Sequence, residues 1–447
     1  MSMTGKSSWH WAVFILCLLT FGFSGVKHAN EEAHRQYAAV EKAEWGATNV
    51  WIRAAECARE KGAWLAICEN GKLFPLADHA LADDPGYALL LGLAARLKDR
   101  SMNLVDVARL NILINLVGMV SVAALLFAAR CQLASLFVLM LGSVPYFSWV
   151  GVAPHPSLIG VASMAFIFPA AILLVGLGYL AGVSRLVFLF IGAALLALAS
   201  LLREPIGTIG IVVSLGAIIY LGSIRFGQNN KWVLLILLIV GLSAWQSPRW
   251  VLMARDAFFP IQTARYIQTH GTSHNLYIGL GAAGENKFGI HWDDSEGAAA
   301  VKRVDPGVAY VSPEYYRILW RLYFDKVVED PLEVARIYVV KLGEILKHRL
   351  PSWSPPLWLF LVGICALLGA GYRRRLWKST DFHAAPILIL SAMAFIGMFI
   401  AQGVLAHPSR QYAHPIGGFV LLIWAIGLEL FVRHIIRKEG SVEKRVG

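Results

Sequence analysis

Long apolar runs alternate with short polar breaks over most of this chain. The first run spans Trp9 to Val26, behind a single Lys6. After a polar section at 27–102, six more follow at about 103–129, 132–150, 158–182, 186–202, 205–222 and 231–246. Three others lie at about 357–372, 385–402 and 416–432. Each approaches the ~20 residues a helix needs to cross the hydrocarbon core. The pattern therefore predicts an all-α polytopic membrane protein with about ten transmembrane helices. The first run is longer than the usual signal-peptide h-region of about 7–15 residues and is expected to be a retained span.

Two polar sections interrupt the runs. The first contains helix-like stretches, such as Glu31 to Glu60. The second, 247–355, predicts a folded and mainly helical unit. Ser312-Pro313-Glu314 has the order of N-cap, first-turn proline and first-turn acid, ahead of Ile318, Leu319, Leu322, Tyr323 and Val327 at helical spacing. Asp330-Pro331 opens another helix, with Ala335, Tyr338, Val339, Leu342 and Leu346 on one face. Residues 271–297, rich in Gly, Asn and His, predict a loop. The chain thus divides into an N-terminal membrane region (1–246, with the external loop 27–102), an external helical section (247–355) and a C-terminal membrane region with a basic tail (356–447).

Composition supports this frame. Of 447 residues, 57% are hydrophobic and 15% charged, against roughly 25% charged in soluble domains. The net charge of +11 would suggest nucleic acid in a soluble protein, but the placement of the basic residues explains it better. With a cytoplasmic N-terminus, the short inner loops hold Arg130, Arg185, Arg225, Lys231, Arg373, Arg374, Arg375 and Lys378, and the short outer loops hold Arg203 and Arg410. That asymmetry follows the positive-inside rule. It predicts a multi-pass protein of the cell inner (plasma) membrane, both termini cytoplasmic, both polar sections outside, and no nucleic-acid partner. Cys17, Cys131 and Cys365 lie in or beside spans. Cys57 and Cys68 share the first external loop, where a disulfide would be worth ~3 kcal/mol in an oxidising compartment; spacing alone leaves the bond open.

Polar residues at the outer surface are the candidates for chemistry. Asp83-Asp84 precede Pro85-Gly86-Tyr87 and an apolar run. An acidic helix start would explain them, and so would a catalytic base. His155 stands between two prolines, and Arg203-Glu204-Pro205 turns from the fifth span to the sixth. The stretch His407-Pro408-Ser409-Arg410-Gln411-Tyr412-Ala413-His414-Pro415 leads into the last span. A cation at a helix start opposes the helix dipole unless it holds an anion, for which a guanidinium and free N–H groups can converge on one phosphate. A snorkelling arginine is the plainer reading. His291, Asp293 and Asp294 lack the spacing of a metal site, so no cofactor is predicted and a divalent metal finds no support. Trp292 beside them could stack on a sugar ring.

This arrangement resembles the GT-C class of membrane glycosyltransferases. Within it, the nearest in kind are bacterial members of the dolichyl-phosphate-mannose protein mannosyltransferase group and the aminoarabinose transferases of lipid A. Asp83-Asp84 matches the acidic pair of the first external loop, and Arg410-Gln411-Tyr412 with Pro415 resembles the arginine-tyrosine-proline turn that meets the lipid phosphate. The resemblance implies a GT-C-like fold and transfer of a hexosyl or pentosyl unit from a polyprenyl-phosphate donor to a lipid, glycan or protein acceptor outside the membrane. Asp83 and Asp84 would be catalytic, and Arg410, Arg203 and Tyr412 would hold the donor phosphate. His155, Glu204, His407, His414 and Trp292 would line the site. Chemically, the acceptor hydroxyl needs a carboxylate to take its proton, and the departing phosphate needs fixed positive charge. Two other classes compete: a transporter or flippase of a lipid or glycan, and a lipid-linked glycan ligase.

Overall fold

The computed structural model describes residues 4–44, 46–76, 85–147, 151–153, 155–180, 182–224, 231–259, 271–350, 352, 354–373 and 384–446. About 80% of the chain is helical. In order, the elements are α1 (Thr4–Tyr37), α2 (Gly46–Lys61), β1 (Ala66–Glu69), β2 (Lys72–Pro75), α3 (Pro85–Lys98), α4 (Leu104–Ala128), α5 (Gln132–Phe147), α6 (Leu158–Gly176), α7 (Gly182–Leu202), α8 (Glu204–Ile224), α9 (Lys231–Trp245) and α10 (Ser247–Phe258). The remainder is α11 (Thr272–Gly279), α12 (Asp294–Val304), α13 (Pro313–Glu329), α14 (Pro331–Lys347), α15 (Leu357–Arg373), α16 (Ala384–Leu405) and α17 (Arg410–Val446).

Among the described residues, seven helices are long and apolar enough to cross a membrane: α1, α4, α6, α7, α8, α16 and α17. An eighth span exists if α9 and α10, bent by 57° at Gln246, are taken together. The apolar runs that predicted ten also include α5 and α15, whose 16 and 17 residues rise only about 24–26 Å at 1.5 Å each. Both helices run up to residues outside the described ones, so the count of seven or eight holds for the described residues alone.

Helix α6 is apolar on every side and sits at the centre, packed by α4, α7, α8, α16 and α17. An all-round apolar helix has no preferred surface and belongs in the interior. Phe166 meets Phe395 and Phe419 edge-on, with ring centroids 5.6 and 5.5 Å away. Where α4 and α6 cross, Gly118 and Gly160 let the backbones touch. A Cβ on Gly160 would lie 2.5 Å from the Asn115 Cα and 2.6 Å from the Ile114 carbonyl oxygen. Small residues serve this purpose at helix crossings in lipid. Alanine at Gly160 is expected to destabilise by about 1–3 kcal/mol as the helices separate, read as a lower thermal midpoint of the detergent-solubilised protein. An unchanged midpoint would mean the crossing has slack.

At the opposite end of the bundle, a charged pair fastens the α4–α5 turn. The buried carboxylate of Glu429 accepts from the Ala134 N–H at the start of α5 (3.0 Å) and pairs with Arg433, which donates to the Arg130 carbonyl just past the end of α4. Acid on a helix start and base on a helix end suit both dipoles. Glu429 of this pair lies within the apolar run at 416–432, where the hydropathy pattern does not reveal it.

The first polar section is not purely helical. β1 and β2 form an antiparallel hairpin with Ile67 opposite Phe74. Asn70 and Gly71 turn it with φ of +48° and +75°, the left-handed pair a two-residue hairpin turn demands. Cys57 of α2 and Cys68 of β1 are joined in a disulfide. The long helix foreseen from Glu31 to Glu60 is broken, with α1 ending at Tyr37 and α2 starting at Gly46. In the second polar section, Ser312 caps α13 and Asp330 caps α14 through side-chain bonds to the Tyr315 and Glu333 N–H groups. Residues 272–279, expected as loop, form α11. His274 there is fully buried, its Nδ1 2.7 Å from the Tyr315 hydroxyl and its Nε2 3.0 Å from Asp294. Those tertiary bonds override a weak local helix preference.

Candidate functional site

The α5–α6 connection carries His155, and four side chains hold it in place. Asn111 on α4 donates from Nδ2 to the Gly151 and Ala153 carbonyls, at 2.7 and 2.8 Å. Asn115, one turn on, donates to the Pro156 carbonyl (2.8 Å) and accepts from the Gly160 N–H (2.9 Å). Thr48 of α2 donates to the Val152 carbonyl at 2.8 Å, and the Tyr87 and Ser157 hydroxyls hydrogen-bond to each other. A loop at this depth needs such partners, because carbonyls facing hydrocarbon carry a cost of several kcal/mol each. Asn111 and Asn115 stand about 10 and 16 Å along α4 from its first residue, at 1.5 Å per residue. The turn at His155–Ser157 is therefore recessed into one end of the bundle. Residues 155–157 form a single 3-10 turn that also touches α17, the helix whose first turns carry Tyr412 and His414.

Helix α3 brings the next pieces. Its first residues, Pro85, Gly86 and Tyr87, are buried. A Cβ on Gly86 would lie 2.8 Å from the Leu201 carbonyl carbon and oxygen, so only glycine permits this seating against the end of α7. Tyr87 stacks on Trp51 with centroids 4.3 Å apart. Arg203 is the one residue between α7 and α8. Its backbone N–H bonds to the Ala199 carbonyl (2.8 Å), while its own carbonyl accepts from Ile206 (3.0 Å) and Gly207 (3.1 Å). Glu204 then supplies the acid of the first turn of α8. Arg203 stands within electrostatic reach of His155. The start of α3, the Arg203 turn and the His155 loop thus form one continuous assembly.

A second group surrounds the α16–α17 link. Trp292 packs on His407 at 4.7 Å between centroids, and His407 lies 6.4 Å from Tyr412. The His407 Nδ1 accepts from the Ser409 N–H at 2.9 Å, which requires a neutral acceptor nitrogen. Burial lowers its proton affinity in the same sense, and Lys341 adds to the effect. His348 bonds through Nε2 to the Pro408 carbonyl at 2.8 Å. Lys341 of α14, fully buried, donates to the Gly279 and Leu405 carbonyls at 3.0 and 3.3 Å. These carbonyls end α11 and α16, where a cation is favourably placed. The second polar section thereby grips the link that delivers the start of α17.

The sequence-derived candidates therefore fall into two groups. His155, Arg203 and Glu204 gather around the α3–α7 seam, while Trp292, His407 and Tyr412 gather around the α16–α17 link. His414 sits half-buried in α17. Asp83 and Asp84 lie outside the described residues, as does the side chain of Arg410. The Arg410 backbone starts α17, so the polar turn expected before the last span is already helical, with Pro415 inside the helix. That proline forgoes a single bond near a helix start. Asp293 caps α12 through the Ser295 N–H (2.7 Å) and Asp294 meets His274, so neither turns toward His291 as a ligand set. Among the described residues, no group of three or more His, Cys, Asp or Glu could hold a metal ion. Thr48, Tyr87, Asn111, Asn115, Lys341 and His348 escaped the sequence reading. Only Asn111 and Asn115 carried a signal, as amides one helical turn apart within an apolar run. Comparison with protein-family models, curated proteins and solved structures finds no match to this chain.

Proposed function

We infer that the chain is an integral-membrane glycosyltransferase of the GT-C kind. It would move a sugar from a polyprenyl-phosphate donor to a lipid, glycan or protein acceptor at the extracytoplasmic face of the membrane. The observation that carries this reading is the α3 seam. The residues directly following Asp83-Asp84 in the chain pack against the turn bearing Arg203 and bond to the loop bearing His155. A carboxylate pair next in the chain to this seam, a cation beside it and a recessed, pre-bonded loop would suit proton removal from an acceptor hydroxyl and stabilisation of a departing phosphate. Arg410 and Tyr412 at the start of α17 suit the phosphate as well, because a helix start favours anions.

A transporter or flippase is the second reading, and the bent α9–α10 pair favours it, since broken helices line many transport sites. Against it, the amides of Asn111 and Asn115 are committed to loop carbonyls and leave little polar lining along α4. The deciding experiment compares envelope lipids and glycans by mass spectrometry in cells with and without the gene. The glycosyltransferase reading expects loss of one sugar mass from a defined acceptor. Unaltered glycans with altered uptake of a solute, or a lipid retained in the inner leaflet, would replace it with transport.

A further inference from the structure

We propose that α10 is a membrane-interfacial helix, lying in the headgroup–acyl boundary of the lipid bilayer and holding the disulfide-linked hairpin at the membrane surface. Its twelve residues present three separate faces. At 100° per residue, Met253, Ala257, Trp250, Ala254 and Phe258 span one arc of about 140°, which they share with Ser247, whose hydroxyl donates to the Ala197 carbonyl at 2.9 Å. All five are exposed, with Trp250, Met253 and Phe258 at 54%, 67% and 79%. Arg249 and Asp256 are exposed on a neighbouring arc. The third face turns inward through Leu252 and Arg255, both buried.

The occupant of the apolar arc follows from the chain itself. Helix α9 precedes α10 by one residue and exposes Trp232, Val233, Ile236 and Ile239, an apolar surface suited to hydrocarbon. The 57° bend turns the exposed apolar surface away from the α9 axis without ending it. The exposed charges of Arg249 and Asp256, the latter paired with Arg255 at 2.7 Å, argue against the bilayer centre, where an unpaired charge would cost about 2.5–3.5 kcal/mol. An apolar arc bordered by charge, with a tryptophan on it, is the composition of a helix buried about 5–10 Å into the interface. On the inward face, the Arg255 Nη1 donates to the Leu65 carbonyl at 3.1 Å. Phe259, just past the helix end, packs on the cluster of Cys57, Ala63, Ala66, Cys68 and Leu73. The hairpin therefore rides on α10, and its height above the lipid is set by this helix. The proposal holds whichever chemistry the protein performs.

The test uses the full chain in phosphatidylcholine–phosphatidylglycerol nanodiscs, with Cys17, Cys131 and Cys365 replaced by serine and Cys57–Cys68 retained. Met253→Cys, Phe258→Cys and Arg249→Cys are each labelled with an environment-sensitive fluorophore, and single monodisperse peaks on gel filtration report intact folding. Nitroxide-bearing lipids then serve as quenchers at shallow or deep acyl positions. At an insertion of about 5–10 Å, the shallow quencher is expected to remove about half or more of the emission at 253 and 258. The deep quencher should remove less, and neither should dim position 249 appreciably. Equal quenching at all three positions would overturn the proposal, as would stronger quenching by the deep lipid, which makes α9 and α10 one bent span. A disulfide between two copies at Met253→Cys would also overturn it, assigning the arc to a second copy of the chain.

Discussion

Asparagine at Asp83 or Asp84 is expected to cut sugar transfer by about 10²–10⁴-fold, the usual contribution of a positioned general base, while the protein still assembles. The substitution separates two roles cleanly. As a helix cap, asparagine equals aspartate, and loss of the charge at a helix start removes only about 0.3–1 kcal/mol. A pair that merely started α3 would tolerate the change. A pair that takes a proton would not, because an amide has no basic oxygen at neutral pH. The assay follows transfer from a polyprenyl-phosphate donor in membranes containing each variant, with the thermal midpoint as a folding control. Full transfer in both single variants would remove the pair from the mechanism. Loss in one alone would identify the base.

The second large effect concerns Lys341 and alkaline pH. Burial pushes its ammonium down to about 7, against an ordinary lysine near ~10.4. Between those values the unfolded chain binds more protons than the folded one, so stability rises with pH across that window and is flat below it. The slope is at most about 1.4 kcal/mol per pH unit. The thermal midpoint of the solubilised protein should therefore climb from pH 7 to pH 9. Lys341→Met should abolish that climb, and at pH 9 it should fall below wild type, because two buried carbonyls lose their donor at about 1–3 kcal/mol each. A climb that persists in the variant would assign the pH dependence to another group. Acid acts separately through His407, whose affinity for a proton is lowered by burial. Its contribution is fully present above about pH 6.5 and is lost as the pH falls through the lower value of the folded state.

The parts of the fold that were legible in the sequence are those with a local cause. Apolar runs declare spans because hydrocarbon admits little else, and Ser312 and Asp330 announce α13 and α14 because capping is settled within four residues. Asn70-Gly71 declared a hairpin just as locally, between short apolar strands that a search for helical spacing passes over. Helix α11 had no local cause, since His274 is held by residues 20 and 41 positions away. The candidate site divides in the same way. The counting of basic loops placed His155, Arg203 and Tyr412 together at one face before any geometry was known. The groups that build that face were not legible, because Thr48, Tyr87, Asn111 and Lys341 matter only through distant backbone carbonyls and hydroxyls. A lysine in an amphipathic helix reads as solvent-facing until its burial is seen.

The two asparagines of α4 also bear on how the chain is assembled in the membrane. Alone in lipid, α4 would present both amides to hydrocarbon, with nothing to receive their protons. Their partners, Gly151, Ala153, Pro156 and Gly160, are synthesised some 40 residues later. Until α6 arrives, these amide donors have no partner, whereas in the α4–α5–α6 unit both are bonded to loop carbonyls. The grip that shapes the recessed loop thus couples its formation to the arrival of the two helices that follow α4, and the loop is expected to take its shape during biogenesis rather than after it.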